Sequence, residues 1–202
     1  MVEYFVRGGG FMWPILFCLV LGIAISIERF ISLSRASVDI RNFMSNVMKA
    51  LDKSGTEEAI AVCQQTEGPV ASILHAGLLR VGRGIEHVEK AITGAGSIEM
   101  AFLERGMIWL STFITLAPML GFTGTVAGMV GAFDDIKRAN DISPAIVADG
   151  ISVALLTTLF GLITAIILQL FHNYFISKID RLVIDMEESS IELVDHLVER
   201  QN

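Results

Sequence analysis

The 202-residue chain holds little from which an active centre could be built. Its two cysteines stand far apart: Cys18 lies in an apolar stretch and Cys63 in a polar segment. That excludes a disulfide framework and a thiolate metal cage. Four scattered histidines (His75, His87, His172, His196) never repeat at ligand spacing, so no metal is expected. No nucleophile–base set, phosphate loop or metal cluster occurs, which argues against an enzyme and implies no cofactor. Lys and Arg number 15 against 22 Asp and Glu, for a net charge of -7. The basic surface that nucleic acid requires is therefore missing.

The most telling absence is of charge itself. Three stretches contain no Asp, Glu, Lys or Arg: Gly8 to Ile27 (20 residues), Gly106 to Phe133 (28) and Gly150 to Phe171 (22). A helix crosses a bilayer with about 20 such residues. The first stretch has only Arg7 against Glu3 before it, and no small-residue cleavage site ahead of Glu28 and Arg29. It reads as a retained membrane helix, not a signal peptide. Three spans without an internal repeat or broken half-helices give no solute site. With no acid inside any span, a titrating group for proton movement has to come from another protein.

Lys and Arg set the orientation. Arg29, Arg35, Arg41, Lys90, Arg105, Lys178 and Arg181 flank the spans on one side, against Arg7, Lys137 and Arg138 on the other. The richer side is expected to be the cytoplasm. The fold expected is an all-α membrane protein with three transmembrane helices and long cytoplasmic helical extensions. A periplasmic N-terminus covers 1–10 and transmembrane helix one 11–31. A cytoplasmic helical domain takes 32–105 and transmembrane helix two 106–133. A periplasmic loop fills 134–149, transmembrane helix three 150–171, and a cytoplasmic C-terminal helix 172–202.

Local signals fill in the cytoplasmic part. Ser54 to Glu57 fits a capping box, and Pro69 after Gly68 can open a helix. Gly82, Gly84, Gly94 and Gly96 weaken the stretch that follows. Span two exceeds the bilayer, since 28 residues rise about 42 Å at 1.5 Å each. It is expected to run on as one helix with Ile98–Arg105, and span three to run on into the C-terminal helix. There Phe175, Ile179, Leu182, Met186, Ser190, Leu193 and Leu197 recur every three or four residues, the spacing of one helix face. Asp185, Glu187, Glu188, Glu192, Asp195 and Glu199 oppose them and read as a solvated face, with a docking surface for a regulator as the lesser reading.

The interior of the last two spans is unusual. In span two, Gly121, Thr125, Gly128 and Ala132 form a small-residue stripe, with Gly124, Gly128 and Gly131 overlapping it. Pro118 removes a backbone donor just before it. In span three, Ala154, Thr158, Gly161 and Ala165 repeat the pattern, with Thr157 and Thr164 on a neighbouring face. Small residues let helix backbones approach closely in lipid, and hydroxyls bond across helices. The plain reading is packing, with each Thr bonded to its own backbone. The sharper one is a narrow lumen in which Thr125 and Thr158 hold water or meet a partner's carboxylic acid. Asp149, at the outer end of span three, reads as a helix N-terminal residue favoured by the dipole, or as a proton collector at a channel mouth.

Leu116 to Phe133 (LAPMLGFTGTVAGMVGAF) resembles a motif of the MotA/TolQ/ExbB proton-channel family, and the chain's shortness places it nearer ExbB and TolQ. Gly9 to Leu16, Ile27 to Phe30, Gly68 to Ala71 with Gly77 and Leu78, and Gly150 to Gly161 match in the same order. The resemblance implies an inner-membrane ion-transport motor driven by the proton motive force. Five copies would surround two transmembrane helices of a small ExbD/TolR-type partner whose membrane Asp carries the proton. Force would then reach a TonB/TolA-type client. It also places the family's functional threonines at Thr125 and Thr158. One position departs: Val153 stands where ExbB and TolQ chains often carry Glu, and Asp149, roughly one turn earlier, is the candidate to replace it. The competing reading, which Val153 favours, is a structural membrane scaffold that conducts nothing.

Overall fold

In lipid, an uncharged run leaves the backbone no polar partner but itself, and a helix satisfies every group within one segment. The computed structural model describes residues 2–36, 39–139 and 144–201, and it is helical nearly throughout them. The elements are α1 (Val2–Arg7), α2 (Met12–Ala36), α3 (Ile40–Ser54), α4 (Thr56–Gln65), α5 (Pro69–Leu78), a 3-10 turn (Val81–Arg83), α6 (Ile85–Leu103), α7 (Met107–Ala139) and α8 (Pro144–Gln201). Three of the helices are long and apolar enough to cross a membrane, and they contain most of each uncharged stretch. The middle of the expected outer loop, residues 140–143, lies outside the described residues.

The chain divides into two units. One comprises Met1–Glu28 with Gly106–Tyr174, the other Arg29–Arg105 with Phe175–Asn202. The first unit holds the apolar helices, and it buries Met12, Leu110 and Leu168 beside small residues while leaving many of its largest side chains exposed. Trp13, Phe17, Ile108, Trp109, Phe122, Leu155 and Leu170 are exposed, whereas Ala117, Ala132 and Ala154 are buried. Small residues at the buried positions let helices approach one another among lipid tails.

The second unit has an ordinary apolar core. Phe43, Met44, Val47 and Leu51 of α3, Leu74 and Leu78 of α5, and Val88 and Ile92 of α6 are buried. α3 starts at Asp39, whose carboxylate accepts the Asn42 backbone N–H at 3.4 Å. Pro69 opens α5 after Gly68 at φ 135, as its ring favours. At Gly77 a Cβ would meet Ile92 Cγ1 at 2.7 Å, so α5 and α6 touch closely there. The lower part of α8 buries Phe175, Ile179, Leu182, Met186, Leu193 and Leu197, the face its spacing marked out. Ser189, rather than Ser190, sits fully inside it.

Helix ends in this unit are closed by side chains from elsewhere in the chain. Arg29, buried, donates to the Phe102 and Leu103 carbonyls at 3.3 and 3.5 Å. Those carbonyls belong to the last turn of α6, where the helix dipole favours a cation; Phe102 also accepts the Arg105 backbone N–H at 3.3 Å. Arg200 does the same for the Leu51 carbonyl in the last turn of α3. One turn earlier, His196 Nε2 lies 2.8 Å from Asp52 Oδ1.

Three local expectations are corrected. Ser54 ends α3, and Gly55 at φ 88 starts α4 with no side-chain cap, so the capping box does not form. A positive φ there favours glycine, and the chain turns too sharply for Ser54 to reach the next helix. Gly94 and Gly96 lie inside the unbroken α6, because the preceding break falls at Gly84. α6 and α7 are separate helices: Gly106 at φ 81 interrupts the backbone between Leu103 and Met107. Span three does continue, since α8 runs 58 residues without interruption.

Candidate functional site

The seam between α7 and α8 is set by glycines that touch backbone. A Cβ on Gly121 would lie 2.9 Å from the Thr157 carbonyl oxygen and 3.0 Å from Thr158 Cα. On Gly161 it would lie 2.6 Å from the Ala117 oxygen. On Gly124 it would meet Thr157 Oγ1 at 2.7 Å, on Gly128 the Ala154 Cβ at 3.1 Å, and on Gly150 the Ala132 Cβ at 2.3 Å. The α8 side of the seam is therefore Gly150, Ala154, Thr157 and Gly161, and the buried Thr164 continues their alternating spacing of four and three.

This shifts the expected α8 stripe by about 50°, or roughly an eighth of a turn. Thr157 and Thr164 are the fully buried hydroxyls, 1% and 2% exposed, while Thr125, Thr158 and Ala165 flank the seam half-buried. Gly131 meets nothing within 4 Å and takes no part. Pro118 sits inside a continuous α7. Its ring nitrogen cannot donate to the Ile114 carbonyl one turn earlier.

At the centre, three hydroxyls converge on two backbone carbonyls. The Gly121 oxygen has Thr125, Thr157 and Thr158 Oγ1 at 3.2, 3.2 and 3.1 Å. The Ala154 oxygen has Thr125 and Thr157 Oγ1 at 2.9 and 2.8 Å. Thr125 and Thr158 also hydrogen-bond each other. Each hydroxyl has one proton to give and two lone pairs to accept with. Two polarities therefore satisfy the pair. Thr158 donates to Thr125 while Thr125 donates to Ala154, or Thr125 donates to Thr158 while Thr158 donates to Gly121. Thr125 bonds its own helix at Gly121 and the opposite one at Ala154, whereas the bonds of Thr158 cross to Thr125 and Gly121.

A hydroxyl pair that can reverse its polarity is able to donate to a carboxylate or accept from a carboxylic acid without titrating itself. It orients a proton and does not store one. Both residues are half-buried, at the edge of the seam.

Asp149 is not brought to this pair. α8 begins at Pro144, so Asp149 is an exposed residue more than a turn inside the helix, not its N-terminal residue. Nine residues at 100° each place it on the face opposite Thr158, about 13 Å away along the axis. Val153 points elsewhere again, with its Cγ1 3.7 Å from where a Gly9 Cβ would stand. Among the described residues no group of three metal-ligating side chains occurs. Thr157 is the participant that sequence reasoning underweighted. The four-three alternation from Gly150 to Thr164 was the signal that could have centred the stripe on it.

A family model described as the MotA/TolQ/ExbB proton channel family matches residues 65–188. An ExbB homolog of Methanothermobacter thermautotrophicus, a biopolymer transport protein, is 34% identical over 180 residues, which cover 89% of this chain and 64% of that one. The ExbB-like 3 biopolymer transport protein of Synechocystis is 31% identical over 194 residues, covering 94% of this chain and 92% of its own length. The Tol-Pal system protein TolQ of Pseudomonas aeruginosa is 32% identical over 99 residues, 49% of this chain and 43% of that one. Against the archaeal relative, this chain spans just under two thirds of the length.

Proposed function

Because the chain belongs to the MotA/TolQ/ExbB proton channel family, we propose that it is the channel subunit of a membrane motor powered by the proton motive force. It works with a small single-span partner of the ExbD/TolR type, whose membrane Asp supplies the acid that the three spans lack. Five copies surround the partner's helices, and the work is delivered to a periplasmic or outer-membrane client. The N-terminus and the α7–α8 connection face outward, and α3 to α6 with the end of α8 face the cytoplasm, following the excess of Lys and Arg on that side.

The observation that carries this reading is the Thr125–Thr158 pair at the edge of a seam free of charged residues. A carboxylic acid arriving there finds hydroxyls that bond either of its protonation states. The magnitudes permit a cycle. One charge crossing 100 mV releases about 2.3 kcal/mol, close to the roughly 2.5–3.5 kcal/mol that holding an ionised Asp at mid-membrane costs. Asp149, exposed near the outer end, serves in this reading only to gather protons at the mouth. Pro118, Gly121, Gly124, Gly128, Ala154 and Gly161 hold the pair in place.

Thr158→Val and Thr125→Val test the proposal. Each removes a hydrogen bond with a net value of about 1 kcal/mol, too little to dismantle the assembly. Each should nevertheless abolish proton-driven activity of the complex with its partner. Full activity in both variants would remove the hydroxyl pair from the mechanism. A second reading, a scaffold that does not conduct, is favoured by Val153 at the position where relatives often place a carboxylate. Its client would be indifferent to an uncoupler, whereas the motor's would stop.

A further inference from the structure

His172 Nδ1 is buried and has no hydrogen-bond partner among the described residues. A buried polar atom left unpaired is costly and calls for a reason, such as a catalytic role or a water that visits it. His172 lies 18 residues after Ala154, five full turns of α8, and so on the same face as that buried seam residue. It is the first titratable side chain on α8 after the uncharged stretch.

The opposite helix supplies a second polar group at this level. α2 and α8 run parallel here: Gly9 faces Val153, and a Cβ on Gly22 would stand 2.5 Å from Leu168 Cδ1. One turn further along each helix, the register sets Ser26 level with His172. Ser26 is 2% exposed, and its hydroxyl donates to the Gly22 carbonyl at 2.7 Å. Its lone pairs remain available to an N–H or a water. Gln169 and Asn173, bonded to each other at 2.8 Å, flank His172 on α8. A polar patch of one turn thus closes the inner end of an otherwise apolar helix.

We propose that His172 is this chain's own proton acceptor at the inner end of the path. The inference rests on the channel reading above. A proton leaves a hydronium ion, which becomes water, or the partner's carboxylic acid, which becomes a carboxylate, as an O–H bond breaks and an Nδ1–H bond forms. The imidazolium then loses its Nε2 proton to water on the cytoplasmic side, and the neutral ring returns by exchanging tautomers. Imidazole suits this step because it changes charge between about pH 5 and 8. The groups that bear on its titration are few. α7 presents no charge between Gly106 and Phe133; α2 brings Ser26, the exposed Glu28 and, one turn past Ser26, the buried Arg29; and α8 brings Gln169, Asn173 and, further down, Lys178.

The test uses the full chain with its single-span partner in liposomes, with proton flux driven by a potassium diffusion potential while the pH on the inner face is varied. The wild-type complex should show flux that follows a single titration between about pH 5 and 8. His172→Gln and His172→Phe should keep the native mass of the complex, lose that dependence, and conduct about tenfold less or lower. Should either variant fail to assemble, the ¹⁵N-imidazole resonance of His172 in the wild-type complex decides. Titration in that range supports the proposal, and a neutral ring throughout overturns it. A conducting wild type whose variants keep the same profile overturns the role of His172 alone. A wild type that does not conduct overturns the channel reading along with it.

Discussion

Gly161→Ala isolates the contact between backbones on which the seam depends. The added Cβ would stand 2.6 Å from the Ala117 carbonyl oxygen, where ordinary contact begins at 3.4 Å. Both atoms belong to helix backbones, so neither can rotate away. The helices have to part by about 0.8 Å, or overpacking costs about 1–3 kcal/mol. Parting along that direction would stretch the 3.1 Å bond from Thr158 to Gly121 to about 3.9 Å, past hydrogen-bond range. Together with the bond from Thr125 to Ala154, that is another 1–2 kcal/mol or so. Alanine is intrinsically the better helix former by about 1 kcal/mol, and this works in the opposite direction. The net loss expected is about 1–4 kcal/mol. Gly131→Ala is the control, because it brings the same gain in propensity and meets nothing within 4 Å. The assay is unfolding in mixed micelles of rising SDS fraction, followed by far-UV circular dichroism. Gly131→Ala should match or exceed the parent, and Gly161→Ala should unfold at clearly lower SDS. Equal midpoints for the two variants would refute the close seam.

Two further outcomes concern the second unit. Cys63 is buried and its thiol is pushed up from 9.0 to about 11 by desolvation. The folded state therefore keeps a proton that the unfolded chain loses, so stability should fall as pH rises from about 9 to 11. At neutral pH, iodoacetamide should label Cys63 only as fast as the unit opens; prompt labelling of the native protein would contradict its burial. Leu193, fully buried on α8, should cost about 2–5 kcal/mol when cut to Ala, read as a lower melting temperature. An unchanged melt would mean that the end of α8 is not packed as described.

The sequence disclosed most where one physical effect dominated. Absence of charge over about 20 residues has few structural answers, and the three apolar helices follow from it. The apolar face from Phe175 to Leu197 was legible for the same reason, because burial and helical period agree. Helix ends were less legible. The Ser54 motif obeyed the local rule for a cap, but Gly55 took a positive φ and ended α3 instead. The join between α6 and α7 was concealed because Gly106 lies in an apolar run, where composition says nothing about backbone angle. At the seam the right helices and residue types were apparent, and the rotation was off by about an eighth of a turn. Gly, Ala and Thr occupy both faces, so a stripe drawn from size alone has no unique centre. Only the opposing helix, through Thr157, fixes it.

The seam also constrains how this protein can change over time. Glycine is the smallest residue available, so at Gly121 and Gly161 every substitution adds volume and none removes it. Variation there runs in a single direction, toward helices that stand further apart. The outward faces of the same helices behave differently, since Phe, Leu, Ile and Val can replace one another against fluid lipid. Two sides of one helix thus drift at different rates, and a lineage that once widened the seam could narrow it again only by reverting the same codons.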